Sequence, residues 1–202
     1  KEFYWDKSEN ITYGAINPKR LTKSRSVTRK SSRLSGSAKK EINVTFIGRL
    51  SRDNEVHKYI ELVKVLKSKN KKLNIIWVGE GEFRKECEKL GEVTGFVKNI
   101  SKYLVNRDLV FSSSYLSILE AQLLKNNVCA FYSNKLKKAY LETFSGSKYM
   151  LISDNVEGMI KKINFLFSSP KLKEESGLEA AKFAKKQTWK KVVDLYLRVW
   201  NK

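Results

Sequence analysis

Three short stretches carry residue types that could hold an anionic ligand. In "FSSSYLSILEAQLL" (111–124) a polar run leads into a helical pattern with one carboxylate, Glu120. Backbone N–H groups around Ser117 and Ile118 would open that helix, and unpaired amides at a helix start form a ready anion site. Glu120 near that start either suits the positive helix end or accepts hydrogen bonds from sugar hydroxyls, as an acid does in related nucleotide-binding folds. "FIGRLSRDN" (46–54) places Gly48 and Arg49 just past a strand-like run. A guanidinium there is either a surface charge or a forked ligand for a diphosphate. "VGEGEFRKECEKL" (78–90) sets Gly79 and Gly81 between a strand-like run and a helical one. Those glycines make a tight turn or let a phosphate approach the backbone. Arg84 breaks the full G-x-G-x-x-G dinucleotide pattern.

The elements that must position these turns are regular from residue 42 onward. Apolar, β-branched runs at 42–48, 73–79, 93–97, 109–113, 128–133 and 148–153 read as strands. Helical spacing falls at 55–68, 82–91, 100–105, 118–126, 156–167, 171–186 and 188–201. This alternation predicts an α/β fold with a Rossmann-like, doubly wound parallel sheet and C-terminal helices. Near-continuous apolar strands fit a sheet covered on both faces. All three candidate turns then share the carboxyl edge, where ligands of such folds bind. Trp77 reads as core, Tyr115 as turn packing or a ligand stack, and Trp189 and Trp200 as one packing face of the last helix.

Composition supplies further bounds. The chain has 202 residues, 41 Lys and Arg against 21 Asp and Glu, and a formal charge of +20. Such an excess attracts polyanions: nucleic acid, an anionic membrane face or phosphorylated substrates. Residues 18–40 are rich in Lys, Arg and Ser with no acid, and 18–41 read as a basic flexible linker. The two cysteines, Cys87 and Cys129, lack metal spacing and read as buried free thiols in a reducing compartment. With no run of 18 or more apolar residues and no signal-peptide pattern, the expectation is a soluble, cytoplasmic protein. The first residue is Lys1, and the chain is expected to be a piece of a longer protein.

Four stretches taken together, "FIGRLS", "WVGEGEFRKECEKLGEVTGFV", "SSSYLSILEA" and "TWKKVVDLYLRVW", resemble a known family. It is the group 1 (family 4) glycosyltransferases, and the likeness is to their C-terminal, donor-binding half, one of the two Rossmann-like domains of the GT-B fold. The resemblance covers residues 42–202, with residues 1–17 as the remnant of a hinge from a preceding domain. It implies that Gly48 and Arg49 face the donor diphosphate, Gly79 and Gly81 face the donor, and Phe96 and Val97 lie beside the base. It further implies that the amides of Ser117 and Ile118 hold phosphate oxygens and that Glu120 binds the ribose. The family transfers a sugar with retention from a nucleotide-diphosphate donor, UDP- or GDP-linked, with no metal at the site and no other cofactor.

Two departures stand out. Asn54 occupies the place of a phosphate-binding lysine, and Ser112 that of the first acid of the E-x7-E motif. No catalytic residue is assigned. The expected function is the donor half of a retaining glycosyltransferase, binding a nucleotide sugar while a missing N-terminal domain holds a glycan or lipid-linked acceptor. Alone, such a half binds donor and barely turns it over, because catalysis needs both substrates in one water-poor cleft. The alternative is a non-catalytic, degenerate transferase fold that binds anionic membrane or nucleic acid through its basic surface. Nucleic acid is the weaker variant, since the arm lacks interleaved aromatics. Peripheral contact with the inner membrane face is compatible with either reading.

Overall fold

The computed structural model describes residues 14–17, 41–69 and 72–201. Most of the expected hinge remnant and nearly all of the basic linker lie outside the described residues. Six strands form the sheet: β1 (Ile42–Ile47), β2 (Leu73–Val78), β3 (Glu92–Gly95), β4 (Leu109–Phe111), β5 (Asn127–Phe131) and β6 (Met150–Ser153). Every pairing is parallel and the order is β3-β2-β1-β4-β5-β6. The strand order therefore reverses between β1 and β4, and the crevice beyond their carboxyl ends is the switch point of the fold.

The helices are α1 (Val56–Ser68), α2 (Arg84–Glu88), α3 (Ser101–Leu104), α4 (Tyr115–Leu123), α5 (Lys135–Thr143), α6 (Val156–Ser168), α7 (Pro170–Lys185) and α8 (Trp189–Trp200). Alternate strand residues enter two cores. Val44, Phe46, Ile75, Trp77, Phe111 and Phe131 pack with α1 and α6 on one face. Ile47, Val78, Val110, Val128 and Ala130 pack with α4, Leu141 of α5 and Ala184 of α7 on the other. Burial on both faces is the physical reason the strands lack polar alternation.

Tyr59 is the hub of the first core. Its ring lies 4.9 Å from those of Phe111 and Phe131 and 5.4 Å from that of Phe46. Its hydroxyl donates to the Cys129 carbonyl at 3.1 Å and accepts the Phe131 N–H at 3.2 Å. Trp77 is fully buried beside Phe46, as its place in a strand predicts.

Three features differ from the sequence reading. First, α4 begins at Tyr115, after an extended Ser114, so it starts three residues before the predicted 118. Second, α5 was not predicted; it buries only Leu141, so its apolar periodicity is weak, and Asn134 caps it by accepting the Lys137 N–H at 2.7 Å. Third, Trp189 and Trp200 do share a stripe of α8 with Val193 and Tyr196, but the stripe is not packed. Trp189 is 61% and Trp200 83% exposed, and Leu195 is the buried residue of that helix. Upstream, Ile16 bridges Thr188 in parallel and donates its N–H to the Gln187 carbonyl at 3.1 Å, which fixes residues 14–17 at the base of α8. Among the described residues no helix is long and apolar enough to cross a membrane.

Two outcomes follow from this core. Tyr59→Phe strands the buried Phe131 N–H and removes one of the two donors to the Cys129 carbonyl, so it should cost about 1–3 kcal/mol in urea unfolding. Cys87 and Cys129 are free and buried. Burial pushes the Cys87 thiol up to about 12 and raises that of Cys129. Neither should react with a thiol reagent at about pH 8 until the chain is unfolded.

Candidate functional site

The turns after β1 and β2 lie one on the other. Gly48 N–H donates to the Val78 carbonyl at 3.1 Å, Leu50 N–H to Glu80 at 2.9 Å, and Phe83 N–H to Leu50 at 3.0 Å. A Cβ on Gly79 would stand 1.8 Å from the Gly48 carbonyl oxygen, and one on Gly81 2.4 Å from that of Leu50. The space that glycine leaves open in this turn is therefore filled by the protein's own backbone. These residues are glycines so that two turns can pack, whatever ligand lies above them. Arg84, which breaks the dinucleotide pattern, pairs with Glu80 and with Glu88 on the surface.

Past β4, the backbone is braced into α4. Ser112 N–H donates to the Cys129 carbonyl at 3.2 Å, and Ser114 N–H to the Ser112 hydroxyl at 3.4 Å. Ser112 thus works as a turn brace, with no acid at that place. Tyr115 N–H donates to the Tyr140 hydroxyl at 3.3 Å. The Ile118 N–H donates to the Ser114 carbonyl at 2.9 Å and its side chain is core, so Ile118 does not offer the amide expected of it. Because the helix starts earlier, the amides without a partner among the described residues are those of Leu116 and Ser117. Glu120 is half-buried in the second turn of α4, whose first turn holds no acid. Its place is therefore not explained by the positive helix end.

The β1 turn faces this helix start across the switch point. Arg49 is exposed, and its carbonyl accepts the Asn54 side-chain amide at 3.1 Å. Ser113 donates to the Asn54 side-chain oxygen at 3.5 Å, which links the two turns. Asn54 thus stitches the site together.

Sequence reasoning missed Glu55. It adopts a left-handed backbone, φ 59°, and is nonetheless buried. That conformation disfavours a residue with a side chain by about 1 kcal/mol. Its carboxylate accepts the Ser133 hydroxyl and lies 3.3 Å from the Lys58 ammonium. Lys58 in turn donates to the carbonyls of Tyr132 and Asp154, both at 2.7 Å. One acid and one base so tie together the ends of β1, β5 and β6. A non-glycine residue at a tight turn gives no sequence signal of this kind.

Gly48, Arg49, Asn54, Gly79, Gly81, Ser117 and Glu120 all fall on the carboxyl edge. Phe96 and Val97 follow β3 at its outer end and diverge: Phe96 is 85% exposed, whereas Val97 packs on the second core.

No protein-family model matches the sequence, and no curated protein sequence matches it. Solved structures do. The fold is similar to that of TarM of S. aureus, solved as a variant in complex with Fondaparinux, alpha-GlcNAc-glycerol and UDP (TM-score 0.63, 20% identity, 94% of this chain and 44% of that chain). It is similar to the C-terminal domain of LpcC, a glycosyl transferase group 1 family protein from Francisella tularensis (TM-score 0.58, 17% identity, 89% of this chain and 99% of that chain). It is also similar to Anabaena HepE in complex with UDP (TM-score 0.61, 17% identity, 94% of this chain and 53% of that chain). The chain spans about half the length of TarM and HepE and nearly all of the LpcC domain. The likeness falls on the C-terminal half of GT-B glycosyltransferases, so the fold is that half of a GT-B structure.

The packed glycine turns make a direct prediction. Gly79→Ala should lower the unfolding free energy by at least about 2 kcal/mol, because backbone must move to admit the methyl. Gly48→Ala, whose Cβ would meet nothing nearer than 3.4 Å, should cost less in the same urea titration.

Proposed function

We propose that this chain is the donor-binding half of a group 1 glycosyltransferase and that it binds a nucleotide-diphosphate sugar at the β1/β4 switch point. The observation that carries this reading is the start of α4. The Leu116 and Ser117 amides face no protein acceptor among the described residues, and Arg49 stands across the crevice. Diphosphate oxygens would take those amides and the Arg49 guanidinium, since both favour negative charge and the fork adds geometry. Glu120 follows the two amide residues by four and three positions, so it shares their flank of the helix. From there its carboxylate would accept the ribose hydroxyls. Phe96, on the outer side, would lie beside the base.

In this reading the two amides and the guanidinium offset the donor's charge, the role a metal ion takes elsewhere. The sugar would leave with retention of configuration, with its acceptor, a glycan or a lipid-linked molecule, held by a second domain. The exposed Trp189–Trp200 stripe is a surface such a domain could cover. UDP in the TarM and HepE complexes favours uridine as the base. The charge of +20 suits a working place beside an anionic membrane face on the cytoplasmic side.

Calorimetric titration with UDP, GDP and ADP tests the reading. One of them should bind, and Glu120→Ala should weaken it at least tenfold, or about 1.4 kcal/mol. If none binds, the donor reading fails, and the basic, non-catalytic alternative takes its place. That alternative would show vesicle or polynucleotide binding that falls steeply with salt.

A further inference from the structure

We propose that Lys137, from the unpredicted helix α5, is the second cation of the donor site and contacts the diphosphate opposite Arg49. This rests on the donor reading above and deepens it.

The placement comes from side chains on three elements. Lys137 is the third residue of α5, which follows β5, the parallel neighbour of β4. Its ammonium lies over the Tyr140 ring, 5.4 Å from the centroid. The Tyr140 ring stacks on that of Tyr115 at 3.9 Å and 6°, and the Tyr140 hydroxyl accepts the Tyr115 N–H. Tyr115 is the first residue of α4. A pair of stacked rings thus carries Lys137 to the rim of the unpaired amides. On the other side lies the β1 turn. The Asp53 carboxylate is held below its usual range chiefly by its hydrogen bond from Ser51, with Arg49 and Lys137 adding to the effect. Both cations thus lie within electrostatic reach of one acid of the β1 turn.

The state of Lys137 points the same way. It is half-buried. Burial lowers its proton affinity, and the carboxylates of Glu55 and Asp53 offset only part of that. Among the described residues its ammonium has no ion pair and no hydrogen bond. Lys58, which also lies at this edge, is committed to Glu55, Tyr132 and Asp154. A partly desolvated ammonium without an acceptor is costly, and an anion in the crevice removes the cost. Asn54 is a neutral amide and supplies no charge here, and its side chain is already bonded to Arg49 and Ser113. The β1 turn supplies Arg49, and the second positive charge arrives from α5, after β5.

The test titrates the full chain with UDP, GDP and ADP, and then repeats the nucleotide that binds on three variants. Lys137→Gln should weaken binding about tenfold, whereas Lys137→Arg should stay within about threefold of the parent. Lys135→Gln removes an exposed charge from the same helix and should leave binding unchanged. Equal losses in Lys135→Gln and Lys137→Gln would mean bulk charge and overturn the proposal. Parent-like binding by Lys137→Gln, alongside weakened binding by Glu120→Ala, would overturn it and leave the donor reading standing. No binding by the parent chain would overturn both.

Discussion

The site depends on one backbone contact, the β1 turn lying directly against the β2 turn. Three interturn hydrogen bonds close it, and Gly79 and Gly81 leave no room between them for a Cβ. Because carbonyl oxygens rather than flexible side chains fill that space, the turn geometry is rigid. Arg49 projects from this pair of turns, and Asn54 carries the same rigidity across the switch point to Ser113. The start of α4 is therefore held at a set distance from Arg49 by the sheet and not by a ligand. Preorganisation of this kind lowers the ordering cost of binding.

A second constraint is electrostatic. The carboxyl edge concentrates Arg49, Lys58 and Lys137 beside amides that also favour anions. Such an edge would repel itself without internal acids. Glu55 supplies one of them in a backbone conformation that a side chain disfavours. Its ion pair with Lys58 is buried and hydrogen-bonded on both sides, the arrangement in which a buried pair is tolerated. That pair uses up one cation and fixes the ends of β6 and of β5, the strand that α5 follows. Lys58 is thus committed to the fold, while Lys137, which the same acid reaches electrostatically, has no ion pair among the described residues.

The last helix presents a different kind of surface. Trp189, Val193, Tyr196 and Trp200 form one stripe at helical spacing, and the stripe stays exposed while Leu195 packs inward. Large aromatics gathered on one face mark a surface that another surface covers. Ile16 pairs with the residue preceding this helix, so the chain segment before the sheet and the helix after it meet at one place. In the proposed reading this is where the acceptor-holding domain joins.

The sequence by itself determined the architecture. Apolar strands alternating with helices dictate a parallel sheet, and the right-handed crossover rule then puts every strand-to-helix turn on one edge. Gly48, Arg49, Asn54, Gly79, Gly81, Ser117 and Glu120 were legible for that reason, as residues of odd chemistry at predicted turns. What was not legible depends on which atoms meet in space. Periodicity could not locate the true start of α4, since Tyr115 to Ser117 are not buried at helical spacing; the sequence points to the amides of Ser117 and Ile118, whereas among the described residues those without a partner belong to Leu116 and Ser117. It could not find α5, which turns only Leu141 inward. It could not say that Glu55 is buried, or that Lys58 is spent on carbonyls while Lys137 is not. Side-chain partnership between residues 70 to 80 positions apart leaves no local pattern. Tertiary packing alone decides which charges are neutralised within the fold and which are left for a ligand.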